Sequence, residues 1–205
     1  RFMARMLPLL AEVWPHGSAL DADILAYDGD IGPKGHSLPL RLASGLHALV
    51  LTGRDDSLMA AYPPHDASDA ALKSALSEAL DTQSGFLRNW ITSPPQTNEV
   101  RRSAALIAGA HAIVGMTGVA DVHLSELGSS GGLNLMFDRY ALETPFGRLG
   151  PEERALTLTP EWSGGLPDAT AFSVKNRRGV DLNPLDPRNA DDALRLRAYL
   201  WADQP

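Results

Sequence analysis

The stretch from Val122 to Tyr140 limits the possible folds more than any other. It reads Val-His-Leu-Ser-Glu-Leu-Gly-Ser-Ser-Gly-Gly-Leu-Asn-Leu-Met-Phe-Asp-Arg-Tyr. A short apolar-leaning run ends in Glu126, and a loop of small residues follows from Gly128 to Gly132. Leu133, Met136, Phe137 and Tyr140 then recur three and four apart. This order predicts a strand, a tight turn and a helix. Glycines let a ligand approach the backbone where side chains would block it. The first amides of a following helix would point at that ligand, with the positive end of the helix dipole behind them. The turn Gly128, Ser129, Ser130, Gly131 and Gly132 is therefore the predicted ligand site.

Three chemistries compete for it. The dinucleotide fingerprint G-x-G-x-x-G is absent, because Gly128, Gly131 and Gly132 have the wrong spacing. Gly128-x-Ser130-x-Gly132 fits the nucleophile elbow of an α/β-hydrolase, with Ser130 as nucleophile. That fold needs strands before the elbow and a histidine after it. Here the upstream chain reads as helical, and all six histidines (16, 36, 47, 65, 111, 123) precede Ser130. With Glu126 included, Glu126-x-Gly128-x-Ser130-x-Gly132 resembles the E/D-x-G-x-G-x-G signature of class I S-adenosylmethionine-dependent methyltransferases, Ser130 standing at the middle glycine. Gly179-Val-Asp-Leu-Asn-Pro184 looks like the end of their second strand, where an acidic residue, here Asp181, holds the ribose. The resemblance implies S-adenosylmethionine as cofactor, contacted by Glu126, Gly128, Ser129, Ser130, Gly131, Gly132, Asn134 and Asp181.

Two plainer readings stand beside it. One is a non-catalytic Rossmann-like domain that lost the chemistry, with Ser130 as the trace of that loss. The other is a turn that only packs helix on strand, with Asp181 and Asn183 as ordinary turn formers. Asp181 lies 53 positions after Gly128, against roughly twenty for the acidic partner in related nucleotide folds, so an insertion is expected between them.

At 205 residues the chain is long enough for one large or two small domains. Its 44% apolar and 21% charged residues are those of an ordinary globular protein. No apolar run reaches a membrane span of about eighteen residues, and no signal-peptide pattern opens the chain. Zero cysteine excludes disulfides and thiolate metal sites and fits a cytoplasmic protein. A net charge of -7 argues against an extended nucleic-acid surface. The partner expected is a small-molecule or protein substrate. Arg1 is not an initiator, so the stretch is read as starting inside a longer gene product.

Residues 1–117 read as helical: Phe2 to Trp14, Ala19 to Tyr27, Ser37 to Gly53, and Ala67 to Ile91 with a break near Ser84-Gly85. His47, on an apolar helix, is read as a hydrogen-bonded core histidine. Thr92-Ser-Pro-Pro-Gln-Thr-Asn98 must be non-helical. Ser93-Pro-Pro resembles the amine-gripping loop of amino-methyltransferases, but Gln96 replaces its aromatic, and a rigid connector is the preferred reading. Asn98 or Thr97 is predicted to cap a helix from Glu99 to Thr117 that is apolar nearly all round and hence buried. Beyond the turn, Arg154 to Thr159 and Thr170 to Asp181 read as extended, and Asn189 as the cap of a helix from Ala190 to Trp201.

Several segments together resemble one bacterial family, domain of unknown function 2332. They are Leu38-Pro-Leu-Arg-Leu-Ala-Ser-Gly-Leu-His-Ala-Leu49, Pro94-Pro-Gln-Thr-Asn-Glu-Val-Arg-Arg-Ser-Ala104, Glu126 to Leu135 with Asp138-Arg-Tyr140, Arg178 to Pro187, and Asp191 to Trp201 with Asp203-Gln-Pro205. The resemblance carries no activity, and it implies that the chain continues past Pro205. The fold expected is α/β: a helical N-terminal domain over 1–117, then over 118–205 the first part of a Rossmann-like, class I methyltransferase-like sheet with an insertion at about 141–169. The sequence assigns no catalytic residue and no metal ligand.

Overall fold

The computed structural model describes residues 1–203. The chain is mixed α/β, with helices through its N-terminal half and two small sheets after them. It divides into two compact units, one of residues 1–97 together with the stretch from Pro187, the other of residues 98–186.

The first unit is all helix: α1 (Phe2–Glu12), α2 (Ala19–Leu25), α3 (Leu38–Leu51), α4 (Asp56–Ala61), α5 (Asp69–Thr82) and α6 (Ser84–Ile91). It also holds α8 (Ala190–Ala198), which follows the second unit in the sequence. Polar side chains that accept from free first-turn amides start several of them. Ser18 caps α2, Asp55 caps α4, Ser68 caps α5 and Asn189 caps α8. Helix α3 is its axis. Leu38, Leu42, Leu46 and Leu49 are buried along it, and a Cβ on Gly45 would come within 3.0 Å of Leu87 and Trp90 on α6. Glycine is what lets the two helices approach that closely. Arg41, also buried, donates from Nη1 to the Ile91 carbonyl at 3.0 Å, placing a cation at the negative end of α6. His47 Nδ1 lies 3.1 Å from the Ala198 carbonyl oxygen, the hydrogen-bonded core histidine read from the sequence.

The second unit begins with a 3₁₀ turn over Val100–Arg102 that leads into α7 (Ser103–Thr117), and Gly118 ends the helix at φ +69°. Next come β1 (Asp121–Leu127), a 3₁₀ helix over Asn134–Arg139, and β2 (Tyr140–Thr144), β3 (Gly147–Leu149), β4 (Leu156–Leu158) and β5 (Ser173–Val180). Strands β1 and β5 pair in parallel, Glu126 opposite Gly179 and Leu127 opposite Val180. The span between them folds into a second sheet of order β3-β2-β4, with β2 antiparallel to β3 and parallel to β4. Ile107, Phe137, Tyr140, Leu142, Leu149 and Leu158 form the core beneath it.

Three expectations change. The helix predicted after the glycine turn is the six-residue 3₁₀ segment. A 3₁₀ helix has three residues per turn, so positions three apart eclipse. Asn134, Phe137 and Tyr140 are the buried ones there, a period of three where the sequence suggested 3.6. Asn98 does not cap the next helix, because α7 starts without a side-chain cap. Helix α7 is also not buried all round: Leu106, Ile113 and Met116 are exposed. The compact units divide at 97/98 and 186/187. Helix α7 goes with the sheets because Ile107 and Ala108 pack against Phe137 and Leu142. Helix α8 goes with the helices because Ala198 packs against Ala48 and Trp90.

No helix among the described residues is long and apolar enough to cross a membrane.

Candidate functional site

The residues from Glu126 to Asn134, and Asp181, meet at the C-terminal ends of β1 and β5. As β1 ends, the Gly128 and Ser129 amides both donate to the Val180 carbonyl, at 2.8 and 3.2 Å. The chain then reverses, with Gly132 N donating to the Ser129 carbonyl at 2.7 Å. Three residues of the turn have left-handed backbone: Gly128 at φ +69°, Ser130 at +50° and Gly132 at +69°. That conformation is free for glycine and costs an L-residue such as Ser130 about 1–2 kcal/mol. A Cβ on Gly128 would meet nothing within 4 Å, so the backbone there faces open space.

Asp181 follows β5 directly. Its Oδ2 accepts from the Ser130 amide at 2.8 Å and its Oδ1 from the Asn183 amide at 2.8 Å. The second bond is an Asx turn, as the plainest reading of Asp181 and Asn183 expects. The first ties the carboxylate to the glycine turn, across a separation in sequence that β2, β3 and β4 fill. Leu185 N closes the loop further by donating to the Ser130 carbonyl at 3.3 Å.

Glu126 is the last residue but one of β1. Its Oε2 is buried and has no hydrogen-bond partner. Burial pushes its carboxyl above the ordinary range, while the Arg102 guanidinium acts in the opposite sense. Ser129, Ser130 and Asn134 are buried, and Asn134 Oδ1 accepts from the Ser103 hydroxyl at 2.8 Å.

Two residues outside the predicted set of ligand contacts complete the geometry. Gly179, opposite Glu126, is where the turn rests on β5: a Cβ there would lie 2.4 Å from Ser129 Oγ and 2.7 Å from Ser129 Cβ. A glycine inside a strand signals a close backbone approach, so that signal was present in the sequence. Asn98 is the other. Its Oδ1 accepts from Leu133 N at 2.9 Å and its Nδ2 donates to the Ser129 carbonyl at a longer 3.4 Å. Nothing near Asn98 in the sequence points to a turn more than thirty residues away.

The chemistry available is main-chain amides, hydroxyls and two carboxylates. No group of His, Asp and Glu among the described residues could hold a metal ion. Of the histidines in this unit, His111 is committed to packing: its Nδ1 accepts from Thr170 N at 3.0 Å and its ring meets Phe172 edge-on. His123 lies exposed on β1 opposite Asn176. A phosphate at the turn would face Glu126 and Asp181, with only a six-residue 3₁₀ helix behind it, and a short helix offers little dipole to offset them.

A family described as "Uncharacterized protein conserved in bacteria (DUF2332)" matches residues 1–205. No curated protein and no solved structure matches the chain.

Proposed function

The chain belongs to the bacterial DUF2332 family, and we propose that it binds S-adenosylmethionine at the Gly128–Gly132 turn in the manner of a class I methyltransferase. The observation that carries this reading is the 2.8 Å hydrogen bond from the Ser130 amide to Asp181 Oδ2. It brings an acidic residue from the end of one parallel strand to the glycine turn at the end of its neighbour, the arrangement that a Rossmann-like nucleoside site needs. The donor set is compatible with the ligand. S-adenosylmethionine carries a ribose diol, an ammonium, a sulfonium and one carboxylate, and no phosphate, so carboxylates at Glu126 and Asp181 favour its diol and its cationic groups. Gly128 leaves its backbone open to an adenosine moiety.

In this reading Asp181 accepts from the ribose hydroxyls, Glu126 lies toward the cationic end, and Ser129, Ser130, Gly131, Gly132 and Asn134 shape the floor. Bound S-adenosylmethionine would supply the methyl group. Transfer mainly requires donor and acceptor to be aligned, and the acceptor is a small molecule or a protein. Calorimetric titration of the purified protein with S-adenosylhomocysteine, S-adenosylmethionine and nicotinamide dinucleotides tests this. Saturable binding of the first two alone is expected, and Gly128→Val should abolish it without unfolding the protein.

The second reading, a Rossmann-like domain without chemistry, rests on Ser130, whose side chain is buried at the position of the middle glycine. It predicts no binding of either compound. A hydrolase would instead be labelled at Ser130 by a fluorophosphonate probe, and no labelling is expected.

A further inference from the structure

We infer that Asn98 is the positioning residue of this turn, an inference that rests on the turn being the ligand site. Between the end of β1 at Leu127 and the 3₁₀ helix starting at Asn134, the backbone belongs to no regular element, and it contains two consecutive glycines. Such a segment has more conformational freedom than any other pair of residues would give it. Its two ends are nevertheless held by one side chain. Asn98 donates to the carbonyl of Ser129, before the glycines, and accepts from the amide of Leu133, after them.

A carboxamide is suited to this task because it presents a donor and an acceptor side by side, as a neighbouring strand would. Asp181 also holds the Ser130 amide, and Tyr140 donates its hydroxyl to the Leu133 carbonyl at 2.8 Å. Asn98 comes from the segment just before α7, so the first residues leading into that helix set the shape of the turn. A turn held this way before the ligand arrives loses less entropy on binding, and the gain appears as affinity.

The test compares Asn98→Ala, which removes both contacts, with Asn98→Asp, which keeps the acceptor for Leu133 N and loses the donor to Ser129. Amide hydrogen exchange without ligand and calorimetry with S-adenosylhomocysteine are the readouts. In Asn98→Ala the Leu133 amide should exchange faster while Ile107 and Ala108 in α7 stay protected, and the Kd should rise roughly tenfold. Asn98→Asp should keep Leu133 protected and recover part of the affinity. Unchanged Leu133 exchange, unchanged Kd, or a uniform loss of protection across α7 and the sheets would overturn the inference. If Asn98→Ala does not fold, Asn98→Asp decides by the same two readouts. A wild-type protein that binds no S-adenosylhomocysteine would refute the ligand reading and with it the role of Asn98 toward a ligand. Leu133 exchange would then report only whether the clamp holds the turn.

Discussion

The two units bury different things. In the helical unit a leucine-rich core joins Met6, Leu20, Leu46, Leu58, Leu72, Leu76, Leu80 and Leu87, each essentially inaccessible to solvent. In the α/β unit the parallel pair has no fully buried residue: β1 alternates between exposed and half-buried, and β5 is exposed except at Val174 and Arg177. Parallel strands are ordinarily covered on both faces. Beside its small core this unit buries polar groups, Ser103, Ser129, Ser130 and Asn134 around one turn and His111 on α7. Packing holds the first unit, and hydrogen bonds set the geometry of the second where it would act. Substitutions in the two should therefore fail differently.

The largest effect is expected in the helical core. Leu46→Ala removes a fully buried side chain on α3 and should cost about 2–5 kcal/mol, read by denaturant unfolding. Hydrogen exchange should show the loss in α1, α3 and α5 while Gly128–Leu133 keeps its protection. Loss of protection at the turn as well would dissolve the contrast.

Asp181→Ala comes next. Two amides, of Ser130 and Asn183, lose a charged acceptor, worth about 1.5–3 kcal/mol. From the sequence alone this carboxylate is expected to face only a ligand, so that its loss leaves folding untouched. Its bonds to the turn make a measurable loss of stability the better expectation. A thermal midpoint unchanged from wild type would show that the bond to Ser130 does not hold the turn.

Gly179→Ala should cost about 1–3 kcal/mol by overpacking against Ser129, where the added carbon would lie 2.7 Å from the Ser129 Cβ. Because the strain falls on the turn, ligand affinity should fall further than the stability change explains. Equal losses would mean that Gly179 matters only for packing.

The smallest effect is that of pH, and it should be common to both units. Burial holds the imidazoles of His47 and His111 below their ordinary range, opposed for His47 by the Ala198 carbonyl. The unfolded chain then binds these protons more readily than the folded one, so stability rises with pH across the window between the two values. The contribution is complete above about 6.5, the ordinary histidine value, and is lost as pH falls below it. Thermal midpoints from pH 7.5 to 5 should fall less in His47→Gln and His111→Gln than in wild type. Parallel curves for all three proteins would remove the histidines from the account.

Most helices were legible because each is a local matter of apolar spacing and a cap. Asn189 before Asp191 and Asp192, Gly53 after α3 and Gly118 after α7 are all visible in a window of a few residues. The strand through Glu126 is legible too, as a short apolar-leaning run before a loop of small residues, and so is the extended stretch leading to Asp181. The nearness of Asp181 to the turn is expected only through the resemblance to methyltransferases, because a span folded as its own sheet hides the spacing, and its bond to the Ser130 amide is not expected at all. The 3₁₀ segment was read as a helix because Leu133, Met136, Phe137 and Tyr140 fit either period in so short a run. Asn98 was beyond reach, since one side chain can cap a helix or clamp a distant turn with the same two groups. The exposure of Ile113 and Met116 was equally hidden: hydrophobicity says what would gain from burial, not whether a neighbour is there to cover it.

The most direct test follows backbone amide resonances of the purified protein during titration with S-adenosylhomocysteine. The account predicts saturable shifts concentrated at Gly128–Leu133 and Asp181–Asn183, with the amides of α1, α3 and α5 unmoved. Shifts confined to the helical unit, or none at concentrations well above those at which methyl-donor sites saturate, would contradict it.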